Sequence, residues 1–146
     1  MSVITLDRIP RWRPDSGQMP VRLVLSDGQH ISGDWARAIV AGFPIDLVIA
    51  PNDSPLDQAL FVGATAAVIE VAEDSQASLD RFAELAKGDV PLFAVARDPS
   101  LSLVRALVRA GAHDVIPLPL DIADLETSLG PLRERISKRR VHRVTA

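Results

Sequence analysis

The chain has 146 residues, enough for one domain with a substantial core. Its 47% hydrophobic and 24% charged content is typical of a globular domain and excludes disordered or fibrous classes. The absence of cysteine excludes disulfide frameworks and thiolate metal sites. No apolar run approaches the roughly 20 residues of a membrane span, and residues 1–13 do not form a signal peptide. We therefore expect a cytoplasmic protein without a membrane span.

The charge is distributed unevenly along the chain. The net charge is −3, but residues 133–143 contain six basic residues and one acid, so the rest carries −8. A run of this kind is usually a solvated helix end that continues into a linker. No aromatic residue is interleaved with the basic ones, so nucleic-acid binding is not expected.

Taken in order, the chain divides into three parts. Residues 1–19 show no hydrophobic period and predict an irregular N-terminal arm. Residues 20–137 predict one domain of five strands alternating with five helices, and residues 138–146 a basic linker or tail. The predicted strands are the short apolar runs at 21–25, 45–50, 66–71, 90–96 and 114–118.

Start signals for helices follow each of these strands. The caps or starts are at Ser32, Ser54, Ser75, Asp98 and Asp121. The first of these helices would extend to Val40, and Gly130-Pro131 predicts a kink or break in the last one. Since the later strands are almost continuously apolar, both faces of the sheet should be covered. We predict an α/β fold, a three-layer αβα sandwich around a five-stranded parallel sheet.

Ligands in such folds gather at the carboxyl ends of strands. The fifth strand ends at Leu118-Pro119, which offers no charge. The chain has no glycine-rich phosphate loop, no serine beside a base and no histidine at metal-ligand spacing. We therefore expect no enzyme activity, no metal site and no cofactor.

The segment 105–121, RALVRAGAHDVIPLPLD, resembles the passage from the fourth to the fifth helix of response-regulator receiver domains. The resemblance extends more weakly from residue 21 to about residue 137. It implies a flavodoxin-like, CheY-like sheet with strand order 2-1-3-4-5. It also makes the Leu118-Pro119 bond a candidate cis peptide.

Phosphoryl transfer in receivers uses an acidic pair, an aspartate, a hydroxyl residue and a lysine. The resemblance aligns the acidic pair with Ser26-Asp27 and the aspartate with Glu70, although the register also allows Val71. It aligns the hydroxyl residue with Ala96, and the lysine with Leu118, just before Pro119. Without the second metal ligand and the lysine, the transferred charge lacks stabilisation. We therefore expect a degenerate phospho-acceptor pocket.

Two roles remain open for Glu70. It is either a permanent charge that imitates phospho-aspartate or an ordinary acidic residue at the mouth of the sheet. Leu118 is expected to extend the core or an interface. A receiver that is phosphorylated on Glu70, or on a nearby acid such as Asp74, is the alternative function. A third possible function is that of a flavodoxin-like domain that binds a small molecule over Asp27, Glu70 and Leu118.

The strand phrase VIEV, the PLP strand end and the basic exit resemble the N-terminal domain of CpaE/TadZ-type pilus assembly proteins. Those are ParA/MinD-type ATPases of the tight-adherence pilus, so the resemblance implies a downstream ATPase domain. It also implies a protein-interaction and localisation module. The resemblance to receivers, which commonly pair through helix four, strand five and helix five, implies a homodimer. The expected interaction surface consists of Arg105, Arg109, His113, Asp124 and Arg133.

Overall fold

The computed structural model describes residues 19–27 and 39–145, with side chains as far as Arg135. The predicted N-terminal arm lies outside this part of the chain, except for Met19. The helix cap predicted at Ser32 also lies outside it. Ile39 and Val40, predicted to end that helix, form a short strand instead.

The described chain contains six strands, three α-helices and one 3-10 helix. The strands are β1 (Val21–Leu25), β2 (Ile39–Val40), β3 (Phe43–Ile49), β4 (Ala66–Glu70), β5 (Leu92–Arg97) and β6 (Ala112–Leu118). The helices are α1 (Gln76–Leu85), α2 (Leu101–Ala110) and α3 (Ile122–Thr145), and the 3-10 helix is Gln58–Phe61.

The strands form one mixed sheet in the order β2-β3-β1-β4-β5-β6. The predicted count of five and the wholly parallel sheet are wrong, because β2 is an additional strand antiparallel to β3. The other five strands pair in parallel and have the relative positions that were predicted. A two-residue turn produces the extra strand, with φ of 52° at Ala41 and 86° at Gly42. Positive φ at both central residues is the requirement of the tightest hairpin turn.

The helix predicted after Ser54 is absent, and a turn followed by the 3-10 helix replaces it. The carbonyls of this segment are used by side chains from elsewhere in the fold. The Leu60 carbonyl accepts from Arg22 Nε at 2.9 Å, and the Ser54 carbonyl accepts from Arg81 at 2.8 Å. Because these acceptors point into the domain, they are not available for the hydrogen bonds of an α-helix.

The other helices differ from prediction mainly at their ends. Ser100, not Asp98, caps α2, and its Oγ accepts from the Leu103 N–H at 3.1 Å. Helix α3 continues through Pro131 without a break and extends to Thr145, where a linker or tail was predicted. Buried Leu129 and Leu132 on either side of the proline hold the helix on the sheet.

Side chains of the strands alternate between two apolar clusters, one on each face of the sheet. Val68 points to the face that α3 covers, where it packs with Leu125 and Leu129. Ile69 points to the opposite face, where it packs with Phe82 of α1 and Leu107 of α2. Helices on both faces leave the two ends of the sheet as the places where polar groups can gather.

Candidate functional site

The candidate site lies at the carboxyl edge of the sheet, where Glu70 is the last residue of β4. Parallel pairing brings the ends of β1, β4, β5 and β6 to this edge. Glu70 is only 5% exposed. A carboxylate at such depth requires hydrogen-bond partners, since burial of an unpaired charge is costly.

The Glu70 carboxylate accepts hydrogen bonds from two neighbouring segments. The Ser26 N–H, just after β1, donates to Oε1 at 2.8 Å. The Ser26 hydroxyl lies 3.1 Å from Oε1 and 3.0 Å from Oε2. Asn52 Nδ2, in the loop after β3, donates to Oε2 at 3.1 Å. Glu70 therefore ties together the chain segments that follow β1 and β3.

The other residues of the predicted pocket divide between the surface and the core. Asp27 and Pro119 are exposed, and the Leu118-Pro119 peptide is cis. Ala96 is 1% exposed and belongs to the cluster under α1 and α2, whereas Leu118 is 7% exposed and belongs to the cluster under α3. No polar side chain is present at either of these two positions.

Two site residues, Asn52 and Arg81, were not predicted. Arg81 on α1 is 8% exposed, and its NH1 donates to the carbonyls of Pro51 and Ser54, each at 2.8 Å. Its NH2 lies 3.4 Å from the Glu70 carbonyl oxygen. Burial lowers the pKa of the Arg81 guanidinium, and the carboxylates of Glu70 and Asp53 act in the opposite direction. The hydrogen bonds from Arg81 to Pro51 and Ser54 therefore hold in place the loop that carries Asn52.

The only sequence signal for Arg81 was its position one helical turn before Leu85 and beside Phe82, on the buried face of α1. Asn52 offered no such signal, since asparagine is common in turns for local reasons. Its role depends on the pairing of β3 with β1, which brings the loop after β3 close to Glu70.

We expect Arg81→Leu to lower the free energy of unfolding by about 2 kcal/mol, because the carbonyls of Pro51 and Ser54 lose their buried donor. Urea denaturation followed by circular dichroism measures the change. Arg135→Leu on α3 is the matched control, because Arg135 is exposed. Equal midpoints for the two variants would contradict the role assigned to Arg81.

The residues of the predicted interaction surface do not form one patch. Arg105, Arg109 and His113 are exposed on α2 and the neighbouring β6, and the His113 ring lies 5.6 Å from that of Phe93. Arg133 instead lies over the turn between β2 and β3. Its side chain is so close to this turn that a Cβ atom built on Gly42 would lie 3.1 Å from the Arg133 Nε. Four strand spacings, about 19 Å, separate β3 from β6. Asp124, also exposed, begins α3 at the carboxyl edge.

The described part of the chain contains neither a cluster of metal ligands nor a membrane-spanning helix. Among the side chains of residues 19–27 and 39–135, no three His, Asp or Glu are grouped so that they could hold a metal ion. No helix within residues 19–27 and 39–145 is long and apolar enough to cross a membrane.

Similarity to solved structures shows that this is a receiver-like fold. A response regulator from Burkholderia multivorans matches with a TM-score of 0.54 and 20% identity, over 79% of this chain and 95% of that one. No protein-family model and no curated protein matches the sequence.

Two pilus proteins share the same fold. A pilus assembly-related protein from Burkholderia pseudomallei K96243 matches with a TM-score of 0.57 and 18% identity, over 80% of this chain and 90% of that one. The pilus assembly protein CpaE from Burkholderia thailandensis E264 matches with a TM-score of 0.55 and 17% identity, over 77% and 95%. The chain therefore has a receiver-like fold, similar to the folds of these two pilus proteins and of the response regulator.

Proposed function

We propose that this domain is a receiver-like protein-interaction and localisation module that is not phosphorylated. The observation that carries the proposal is the buried Glu70 carboxylate, held by Ser26 and Asn52. A phosphoryl acceptor must present an oxygen to the donor with a free line of approach. The hydrogen bonds from Ser26 and Asn52 occupy both oxygens of Glu70.

In the described part of the chain, two positions at this edge of the sheet also carry no polar side chain that could contact a transferred phosphoryl group. A phosphoryl group there requires cations and hydrogen-bond donors aimed at its oxygens. The positions that the resemblance assigns to the hydroxyl residue and the lysine are instead Ala96, one residue before the end of β5, and Leu118, at the end of β6, and both are packed in the core. Glu70 turns away from them, toward Ser26 and Asn52. This geometry favours a structural role for Glu70, which joins the segments after β1 and β3, over a role as a charge that imitates phospho-aspartate.

Mass spectrometry tests the proposal directly. We expect no adduct of about 80 Da after incubation with acetyl phosphate and Mg²⁺. An active receiver domain treated in parallel provides the positive control. A stable adduct on Glu70, or on the exposed Asp74 in the following loop, would instead establish a phosphorylatable receiver.

The similarity to pilus assembly proteins supports a role for the domain in pilus assembly. We extend this to a cytoplasmic module that acts with a ParA/MinD-type ATPase, as the sequence resemblance implies. A pull-down with the purified domain as bait and such an ATPase as prey tests this extension. Absence of binding, with and without ATP, would count against it.

A further inference from the structure

The outer surfaces of α1 and α2 carry complementary patterns. Both helices cross over the same face of the sheet, each between two parallel strands, and they pack side by side. Since each runs back from the end of one parallel strand to the start of the next, the two helices point in the same direction. They form a two-helix layer with one exposed side.

The exposed side of α2 is apolar and basic. Leu101 is 64% and Val108 is 54% exposed, two of the few large apolar side chains so exposed in the described part of the chain. Arg105 and Arg109 lie between and beside them, and α2 contains no acid. Neither arginine forms an ion pair with a carboxylate of the described residues. This surface therefore fits an acidic partner with small side chains.

The exposed side of α1 has that chemistry. Asp80, Ala83 and Glu84 are exposed on it. Asp80 Oδ1 accepts from Gln76 Nε2 at 2.9 Å, and Glu84 lies 3.2 Å from Lys87 in an exposed pair. Exposed contacts of this kind contribute little stability, so they can be exchanged for contacts with a partner.

The two patterns also match in register. Asp80 and Arg105 are each the fifth residue of their helix, and Glu84 and Arg109 are each the ninth. The eighth residues are Ala83, which is small, and Val108, which is exposed. When α1 of one copy lies parallel to α2 of another, each acid meets an arginine and each valine meets an alanine.

We propose that two copies of this chain associate through the α1–α2 layer. The two-fold axis runs parallel to the helices, so that α1 of each copy faces α2 of the other. A two-fold axis that lies in the interface but runs perpendicular to the helices would instead place α1 of one copy on α1 of the other. The Asp80 and Glu84 carboxylates of both copies would then lie together. Like charges in contact disfavour that arrangement.

The size of the layer sets the expected affinity. Ten-residue helices are about 15 Å long, and two neighbours lie about 10 Å apart. The face is therefore smaller than the roughly 800 Å² per partner of a standard interface. We expect a weak dimer, with a Kd above about 10 µM, that weakens further as salt screens its charges.

Reciprocal charge reversal tests the proposal. Asp80→Arg and Arg105→Glu should each raise the dimer Kd at least about tenfold. Each variant places like charges opposite each other at both of the symmetry-related contacts between residues 80 and 105. An equimolar mixture of the two variants should associate about as well as the original protein, since acid then meets base at both contacts. Sedimentation equilibrium at about 0.05 M and about 0.5 M salt provides the measurement. Circular dichroism shows that the variants fold, and Arg135→Glu is the matched control outside the layer.

Three results would overturn the inference. They are a monomer at every concentration in low salt, a dimer unaffected by Asp80→Arg, and a mixture that does not associate. A dimer weakened by Arg105→Glu alone would place the contact on α2 and β6 instead. The inference identifies one partner for the proposed interaction module and so rests on that function. If sedimentation shows a monomer and mass spectrometry shows no phosphoryl adduct, the dimer is refuted and the proposed function stands. If an adduct forms, the proposed function is refuted, and the sedimentation result still decides whether the dimer exists.

Discussion

Glu70→Ala is expected to lower the free energy of unfolding by about 3–4 kcal/mol, because it removes the acceptor of a buried hydrogen-bond network. The Ser26 N–H and the Asn52 amide lose the carboxylate to which they donate. The buried Arg81 also loses a neighbouring negative charge. Urea denaturation at neutral pH measures the loss.

Glu70→Gln should cost less, about 1–2 kcal/mol, because the glutamine oxygen can still accept from Ser26. Its amide group would meet the Asn52 Nδ2 donor. Rotation of the Asn52 side chain resolves that conflict, since Oδ1 of Asn52 is buried and has no hydrogen-bond partner among the described residues. The rotated amide would bring Oδ1 to the glutamine donor. Both variants remove the negative charge of residue 70, and only Gln can still form hydrogen bonds. The difference between their free energies of unfolding therefore measures the hydrogen-bond network and not the charge.

Asp74→Ala is the matched control, because Asp74 is an exposed acid four residues further along the chain. It should leave the unfolding midpoint nearly unchanged. If Glu70→Ala were equally harmless, Glu70 would not tie β1 to the loop after β3. In that case, partner binding that depended on the Glu70 charge would favour imitation of phospho-aspartate.

Much of the sheet could be predicted because its signals are local. The run at 66–71 is apolar and bounded by turn residues, and β4 occupies Ala66–Glu70. The order of the five parallel strands, in contrast, came from the resemblance carried by residues 105–121. Hydrophobic pattern alone does not determine which strands are neighbours.

The missed elements depend on contacts between distant residues. The segment after Ser54 has good helix-start signals, but its carbonyls bind Arg22 and Arg81 from other elements. Strand β2 depends on positive φ at Ala41, which an alanine does not signal. Tertiary contacts overrode the local propensity in the first case, and a strained turn did so in the second.

The sequence indicates which strand ends would form the candidate site, but not which hydrogen bonds its side chains make. The degenerate positions at Ser26, Glu70 and Leu118 could be named because they lie at the carboxyl ends of strands. The direction of the Glu70 side chain could not, because it depends on Asn52, which lies 18 residues away along the chain. Sequence can therefore indicate where a receiver pocket would be, but not which neighbours its central carboxylate has.

Leu118→Lys, which restores the residue type that the resemblance places here, is expected to lower the free energy of unfolding by about 3 kcal/mol. Leu118 packs with Ile116 and Leu120 under α3, so the variant removes apolar contacts and brings an ammonium group to the core. Leu118→Met, which keeps the volume and adds no charge, should cost less than about 1.5 kcal/mol. A lysine as well tolerated as methionine would show that the end of β6 is open to solvent.

A double-mutant cycle decides whether such a lysine can reach Glu70. The two positions lie on β6 and β4, strands that are two spacings or about 10 Å apart, and Leu118 lies two residues further along the sheet than Glu70. Glu70 is held from the opposite side by Ser26 and Asn52. We therefore expect Leu118→Lys to cost the same in the original protein and in the Glu70→Gln variant, to within about 0.5 kcal/mol. A cost more than about 1 kcal/mol smaller with Glu70 present would mean that the carboxylate can turn toward β6 and pair with the lysine. That result would contradict the structural role of Glu70 and indicate that this edge of the sheet retains receiver geometry.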